Sequence, residues 1–196
     1  MENTPRGSRL HIAIFGNRNT GKSSLINAIT GQDLALVSPV AGTTTDPVYK
    51  AMEILPIGPV MLIDTAGIDD IGVLGKLRVK KTMQVLSKTD LAILVLDPQI
   101  NITEEELNLI DVIQERSIPI LAVFNKSDLV LPSSENISLI ESKLGNKSLN
   151  ISALTGENIE ILKQFIIKNA PENWEGPPIL GDLIEEGETV ILVTPI

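Results

Sequence analysis

The chain has 196 residues, 43% of them hydrophobic but only 3% aromatic, with a formal charge of −9 and no cysteine. That length suits one domain with an aliphatic core, and the negative charge argues against a basic stripe for a nucleic-acid backbone. The missing thiols exclude disulfides, thiolate metal sites and cysteine nucleophiles within these residues, and they fit a reducing cytoplasm.

The opening "MENTPRGSRL" has no apolar stretch of the secretory kind. The longest apolar run, "LAILVL" at 91–96, falls far short of the ~18 residues of a membrane-spanning helix. The chain therefore reads as soluble and cytoplasmic.

Short aliphatic runs alternate with segments of helical period. "LHIAIF" (10–15) predicts a strand and "KSSLINAIT" (22–30) a helix closed by Gly31. A polar loop follows at 37–47. "VYKAMEI" (48–54) and "PVMLID" (59–64) flank a turn with Pro56, Gly58 and Pro59, so they predict a strand pair. A helix is expected over 74–87, with Leu77, Met83 and Leu86 near one face, and a buried strand over 91–97. Thr103 and Glu106 have capping-box spacing at the head of a helix over 103–116. A strand at 118–126, a helix at 134–144, a strand at 148–152 and a helix at 158–170 complete the series.

Such alternation predicts a mostly parallel sheet with helices on both faces and ligands beyond the carboxyl ends of the strands. The polar motifs fall at those ends. The tail departs from the pattern. Residues 171–178 hold three prolines and the only Trp and read as a linker. "TVILVTPI" (189–196) reads as the opening strand of a further domain.

Gly16, Gly21, Lys22 and Ser23 fit G-x-x-x-x-G-K-S/T between a strand and a helix. The loop Gly16, Asn17, Arg18, Asn19, Thr20, Gly21, Lys22, Ser23 and Ser24 is the candidate phosphate site. Amides from Asn19 to Ser24 can turn inward to form an anion cradle, helped by the positive end of the helix. Gly21 is expected to let the backbone approach the phosphates. Lys22 would bridge the β- and γ-phosphates, and the Ser23 hydroxyl would ligate Mg2+.

"NKSD" (125–128) points to guanine. The Asp128 carboxylate can accept from guanine N1–H and the 2-amino group, neither of which adenine offers. Asn125 would hold this loop and meet the purine edge, and the Lys126 stem would cover the base plane. In "SALTG" (152–156), Ser152, Ala153 and Leu154 form the remaining base loop, with the Ala153 N–H expected to donate to guanine O6. In "DTAG" (64–67), Asp64 would hold the Mg2+ water shell and the Gly67 N–H would meet the γ-phosphate. One threonine of "GTTTDP" (42–47) must reach Mg2+ and the γ-phosphate.

This ordered set resembles the translation-factor class of small G domains over roughly residues 8–170. The resemblance implies a P-loop NTPase three-layer sandwich, with a mostly parallel six-stranded sheet containing one antiparallel strand. Within that class, "TPRGSRLHIAIFGNRNTGKSSLINAITGQ" and "GTTTDPVYKAMEI" look like the GTPase domain of the FeFe-hydrogenase maturation factor HydF. The tRNA-modifying and ribosome-assembly relatives usually carry Arg where Thr45 stands.

The resemblance implies that Thr44 is the switch threonine on Mg2+, and that Lys22, Thr44 and Gly67 act on the γ-phosphate. It implies GTP/GDP, Mg2+ and K+ as cofactors, with Asn19 coordinating K+. The competing reading of Asn19 is a residue that simply tolerates a tight turn. Hydrogenase maturation proteins are the implied partners, and a homodimer is the implied full-length state. The tail at 171–196 resembles the entry to a dimerisation domain, and the cluster-binding cysteines of that family are missing from this chain.

Hydrolysis is expected to be slow. Ile68 stands where many GTPases place a water-orienting Gln, Asp69 and Asp70 read as solvated acids, and Lys76 replaces a glutamate used by some relatives. His11 reads as a strand residue without a catalytic role. Two alternatives stand beside the hydrogenase resemblance. One is the GTPase domain of a tRNA-modification or ribosome-assembly factor. The other is a nucleotide-binding interaction module with incidental hydrolysis.

Overall fold

A computed structural model describes residues 9–31, 47–65 and 82–171. Six strands form one sheet: β1 (Leu10–Phe15), β2 (Val48–Ile54), β3 (Gly58–Asp64), β4 (Leu91–Leu96), β5 (Ile120–Phe124) and β6 (Leu149–Asn150). Their order is β2-β3-β1-β4-β5-β6. Only β2 runs antiparallel, paired to β3. Four helices are bounded: α1 (Lys22–Thr30), α2 (Glu104–Gln114), α3 (Ser134–Leu144) and α4 (Ile159–Asn169). The six-stranded, mostly parallel sheet with helices on both faces is thus present.

The two faces follow from side-chain alternation along the strands. On one face Ile12, Ile14, Leu62, Ile93 and Val123 pack with Leu25, Ile26 and Ile29 of α1 and Leu162 and Ile166 of α4. On the other, Ala13, Phe15, Ile63, Leu94 and Phe124 pack with Ile110 and Ile113 of α2 and Ile140 of α3. Every residue of β4 is buried, as a central parallel strand requires. That near-continuous aliphatic run is why a chain so poor in aromatics holds together.

Several boundaries are tighter than the sequence suggests. The strand expected over 148–152 is two residues long. Ile151 still donates to Phe124 O at 2.8 Å, but its own carbonyl accepts the Ser127 amide at 3.0 Å, which diverts the ladder into the loop after β5. β5 stops at Phe124 rather than at 126, because Lys126 adopts a left-handed φ of 68°. Thr103 lies just outside α2 as its cap, and Ser117, with φ 57°, follows the end of that helix. Of the helix expected over 74–87, residues 82–86 are helical and residues 74–81 lie outside the described residues. Apart from Pro171, the linker and final strand expected over 171–196 also lie outside them.

Candidate functional site

The phosphate-loop residues leave the carboxyl end of β1 and enter α1 through Gly21, whose φ of 92° lies in the left-handed region. Gly21 offers no side chain to cap α1, and the first turn of α1 holds no acidic residue, so the helix itself leaves its leading amides without an anion. The Lys22 ammonium turns back into the loop, donating to Gly16 O at 2.6 Å and Asn17 O at 2.8 Å. Thr20 closes the same turn, its hydroxyl donating to Asn17 O at 2.9 Å. Arg18, Asn19 and Ser24 are exposed on the rim. Asn19 has a left-handed φ of 64°, a conformation that asparagine tolerates better than most residues, so the backbone gives it a turn role whatever its side chain binds.

Next to this loop Ser23 donates to Asp64 Oδ2 at 2.8 Å. Asp64 is buried at the end of β3, and the neighbouring Thr65 hydroxyl ties that end to Ile14 O of β1 at 2.5 Å. A hydroxyl and a carboxylate so close form a hard oxygen pair, the donor type that Mg2+ selects. These residues fit the ion that the sequence assigned to them.

The base-side residues gather at the ends of β4, β5 and β6. Asn125 is buried and spans two loops, its Nδ2 donating to Thr20 O at 2.8 Å and its Oδ1 accepting from the Ala153 N–H at 2.9 Å. The Ala153 amide, assigned to guanine O6 by sequence, is engaged by Asn125. The same asparagine also changes the reason for Gly21, since a Cβ there would lie 2.2 Å from Asn125 Nδ2. The glycine admits the asparagine as well as any phosphate.

Asp128 is exposed, and its Oδ1 accepts from the buried Ser152 hydroxyl at 2.5 Å. Ser152 Oγ in turn accepts the Thr155 amide at 3.1 Å, which orients its hydroxyl toward the carboxylate. Leu154 is 84% exposed. A cavity of about 580 Å3, lined by Ser24, Asn27, Ala153, Leu154 and Thr155 among others, opens between α1 and this loop. Its size suits a small-molecule ligand.

Two participants escaped the sequence reading. Asp97, just past β4, accepts from Lys126 Nζ at 2.5 Å and from the Gln99 amide at 3.0 Å. Only its place at a strand end could have signalled it. Asp97→Asn is expected to speed guanine-nucleotide release about fivefold by loosening the lysine stem, as read by stopped-flow displacement of fluorescent GDP. The second is Glu106, read only as a helix cap, whose Oε1 accepts from Asn17 Nδ2 at 2.9 Å.

Thr44 and Gly67, with Thr45, Asp46, Ile68, Asp69, Asp70 and Lys76, lie outside the described residues. His11 pairs with Asp90, Nδ1 to Oδ2 at 3.3 Å, near the start of β1 and away from the loop. Among the described residues no helix is long and apolar enough to cross a membrane.

The family model described as 50S ribosome-binding GTPase matches residues 11–126, more than half of the chain. The tRNA modification GTPase MnmE of Chromobacterium violaceum is 36% identical over 160 residues, covering 81% of this chain and 34% of the relative. GTPase Der of Wolinella succinogenes is 33% identical over 172 residues, covering 82% of this chain and 36% of the relative. The crystal structure of an Aquifex aeolicus Era variant bound to GDP and AlF4− superposes with a TM-score of 0.69 at 29% identity, covering 89% of this chain and 60% of that one.

The chain thus spans about a third of the length of the curated relatives it matches. Their names agree with the tRNA-modification and ribosome-assembly alternative and do not support the hydrogenase-maturation resemblance. By these matches the chain belongs to the family described as 50S ribosome-binding GTPases, and its fold is that of a P-loop GTPase domain.

Proposed function

We propose that this domain is the GTP-driven switch of a larger protein. The loop at 16–24 holds the phosphates, Ser23 and Asp64 hold Mg2+, and Asp128 selects guanine under the Lys126 stem. When bound, Mg2+ would offset the charge gathered on the β- and γ-oxygens. The Lys22 ammonium, already inside the loop, adds a fixed positive charge beside them. With the Ala153 amide engaged, the Leu154 amide is the next donor along the loop for guanine O6. Thr44 and Gly67 would register the γ-phosphate, and hydrolysis would release the loops that carry them.

The observation that carries this reading is Asn125. Its amide joins Thr20 to Ala153 and so makes one cradle of two loops far apart in sequence. Titration with a fluorescent GDP analogue tests it, with ADP as competitor and single-turnover GTP hydrolysis as the activity. Saturable binding that ADP leaves intact, followed by phosphate release, is expected. No phosphate over hours from bound GTP would instead favour a binding module with incidental hydrolysis.

Asn19 is the candidate K+ ligand, being exposed on the rim of the phosphate loop. GTP turnover is expected to run several-fold faster in KCl than in NaCl at equal ionic strength, and Asn19→Ala to remove the difference. Equal rates in the two salts for the parent protein would leave Asn19 as a turn residue.

The relatives favour a tRNA-modification or ribosome-assembly factor as the whole protein, working in the cytoplasm. The hydrogenase-maturation reading, with its homodimer and maturation partners, rests on the stretch "GTTTDPVYKAMEI" and on the tail. Sequence downstream of Ile196 separates the two, since only the second requires a Cys/His cluster there.

A further inference from the structure

Asn17 is engaged through both its carbonyl and its side chain. Its carbonyl accepts the Thr20 hydroxyl at 2.9 Å and the Lys22 ammonium at 2.8 Å. Its side chain reaches away from the loop to Glu106 Oε1 at 2.9 Å. Glu106 lies in the first turn of α2, a helix packed on the opposite face of the sheet from α1. Although acidic, it is only 6% exposed. Its other oxygen, Oε2, accepts the Thr103 amide at 2.9 Å and the Thr103 hydroxyl at 3.0 Å. A capping box needs only the Thr103 half of this set. A carboxylate accepts on both oxygens, so one group can end a helix and grip a loop at once.

We propose that Glu106 is a positioning residue for the phosphate loop, holding the Asn17 side chain so that the Asn17 carbonyl stays aimed at Lys22. The chain of bonds runs from α2 through Glu106 and Asn17 to the ammonium group. Without Glu106 the Asn17 peptide can rotate, and Lys22 loses the Asn17 carbonyl as an acceptor. The bond lies in a largely buried place and involves a charged acceptor, which makes it stronger than a neutral surface bond. The inference rests on the reading of residues 16–24 as the phosphate site.

Release of fluorescent GDP from the whole chain, followed beside urea unfolding, tests it in four variants. Glu106→Ala is expected to speed release about tenfold. Asn17→Ala is expected to do the same, and the double variant should be no faster than either single one. Thr103→Ala removes the cap but leaves the Glu106–Asn17 bond. It should lower the urea midpoint and leave release within twofold of the parent.

The proposal is overturned if Glu106→Ala speeds release equally in the Asn17→Ala background, or if Thr103→Ala speeds release as much as Glu106→Ala does. It is also overturned if Glu106→Ala changes only the midpoint. A parent protein that takes up no GDP at all brings down the proposed function and this inference together. A parent that binds normally while Glu106→Ala releases GDP at the parent rate removes this inference alone.

Discussion

Gly21→Ala is expected to destabilise the domain by about 3–5 kcal/mol and to abolish saturable guanine-nucleotide binding. Two effects add. A side chain at φ 92° is strained in itself, by roughly 1–2 kcal/mol. The new Cβ would also stand 2.2 Å from Asn125 Nδ2. A long flexible side chain could swing clear, but Asn125 cannot. It is 3% exposed and bonded at both ends of its amide. Moving it strands the Thr20 carbonyl and the Ala153 amide, each unpaired group costing about 1–3 kcal/mol. The phosphate and base loops then part, so binding fails along with stability.

Gly31→Ala is the control. Its φ of 64° is also left-handed, but among the described residues nothing lies within 4 Å of the added atom, so only about 1 kcal/mol of strain is expected and binding should survive. Urea unfolding and fluorescent GDP titration of both variants check the pair. A Gly21→Ala protein that loses no more stability than Gly31→Ala would mean that Asn125 can yield.

That contrast marks what a one-dimensional reading can reach. The turn from β1 into α1 was legible because its glycines, lysine and serine are neighbours in sequence and need one local geometry. The helices at 22–30 and 134–144 were legible to the residue because glycine ends both and a polar cap or loop begins both. The sheet was legible because the aliphatic runs at 10–15 and 91–96 are too short and too apolar for anything but buried strands.

Through-space partners were not legible. The requirement for Gly21 comes from a side chain 104 positions later, and spacing carries no trace of that contact. The engagement of Ala153 by Asn125 was hidden for the same reason. So was the second role of Glu106, because the capping box explained its presence fully. Nor do these motifs separate one named relative from another. The same G-loop chemistry serves proteins of which it is about a third, and what distinguishes them lies in the remainder.

Asp128→Asn is expected to weaken GDP binding by about a hundredfold or more, and to do so by reversing the preference for the base rather than by unfolding the protein. Asp128 is exposed and, among the described residues, its side chain is held by the Ser152 hydroxyl alone, so little stability depends on its charge. Ser152 also decides which way the new amide points. Its hydroxyl donates to this position in the parent while its oxygen accepts the Thr155 amide, and keeping both bonds places the Asn oxygen against it. The Asn nitrogen therefore turns outward, toward the edge where guanine presents its N1–H and its 2-amino group. Two donors would face a donor, and the bonds that selected guanine are lost.

A purine with a carbonyl at position 2 in place of the amino group presents an acceptor there, so xanthosine diphosphate should bind the variant better than GDP does. Competition between the two nucleotides in parent and variant measures the exchange. Weakened binding of both, with no reversal, would show that Asp128 supports the loop without reading the base. A reversal at an unchanged unfolding midpoint ties selectivity to one carboxylate, held by one hydroxyl at the end of the shortest strand of the sheet.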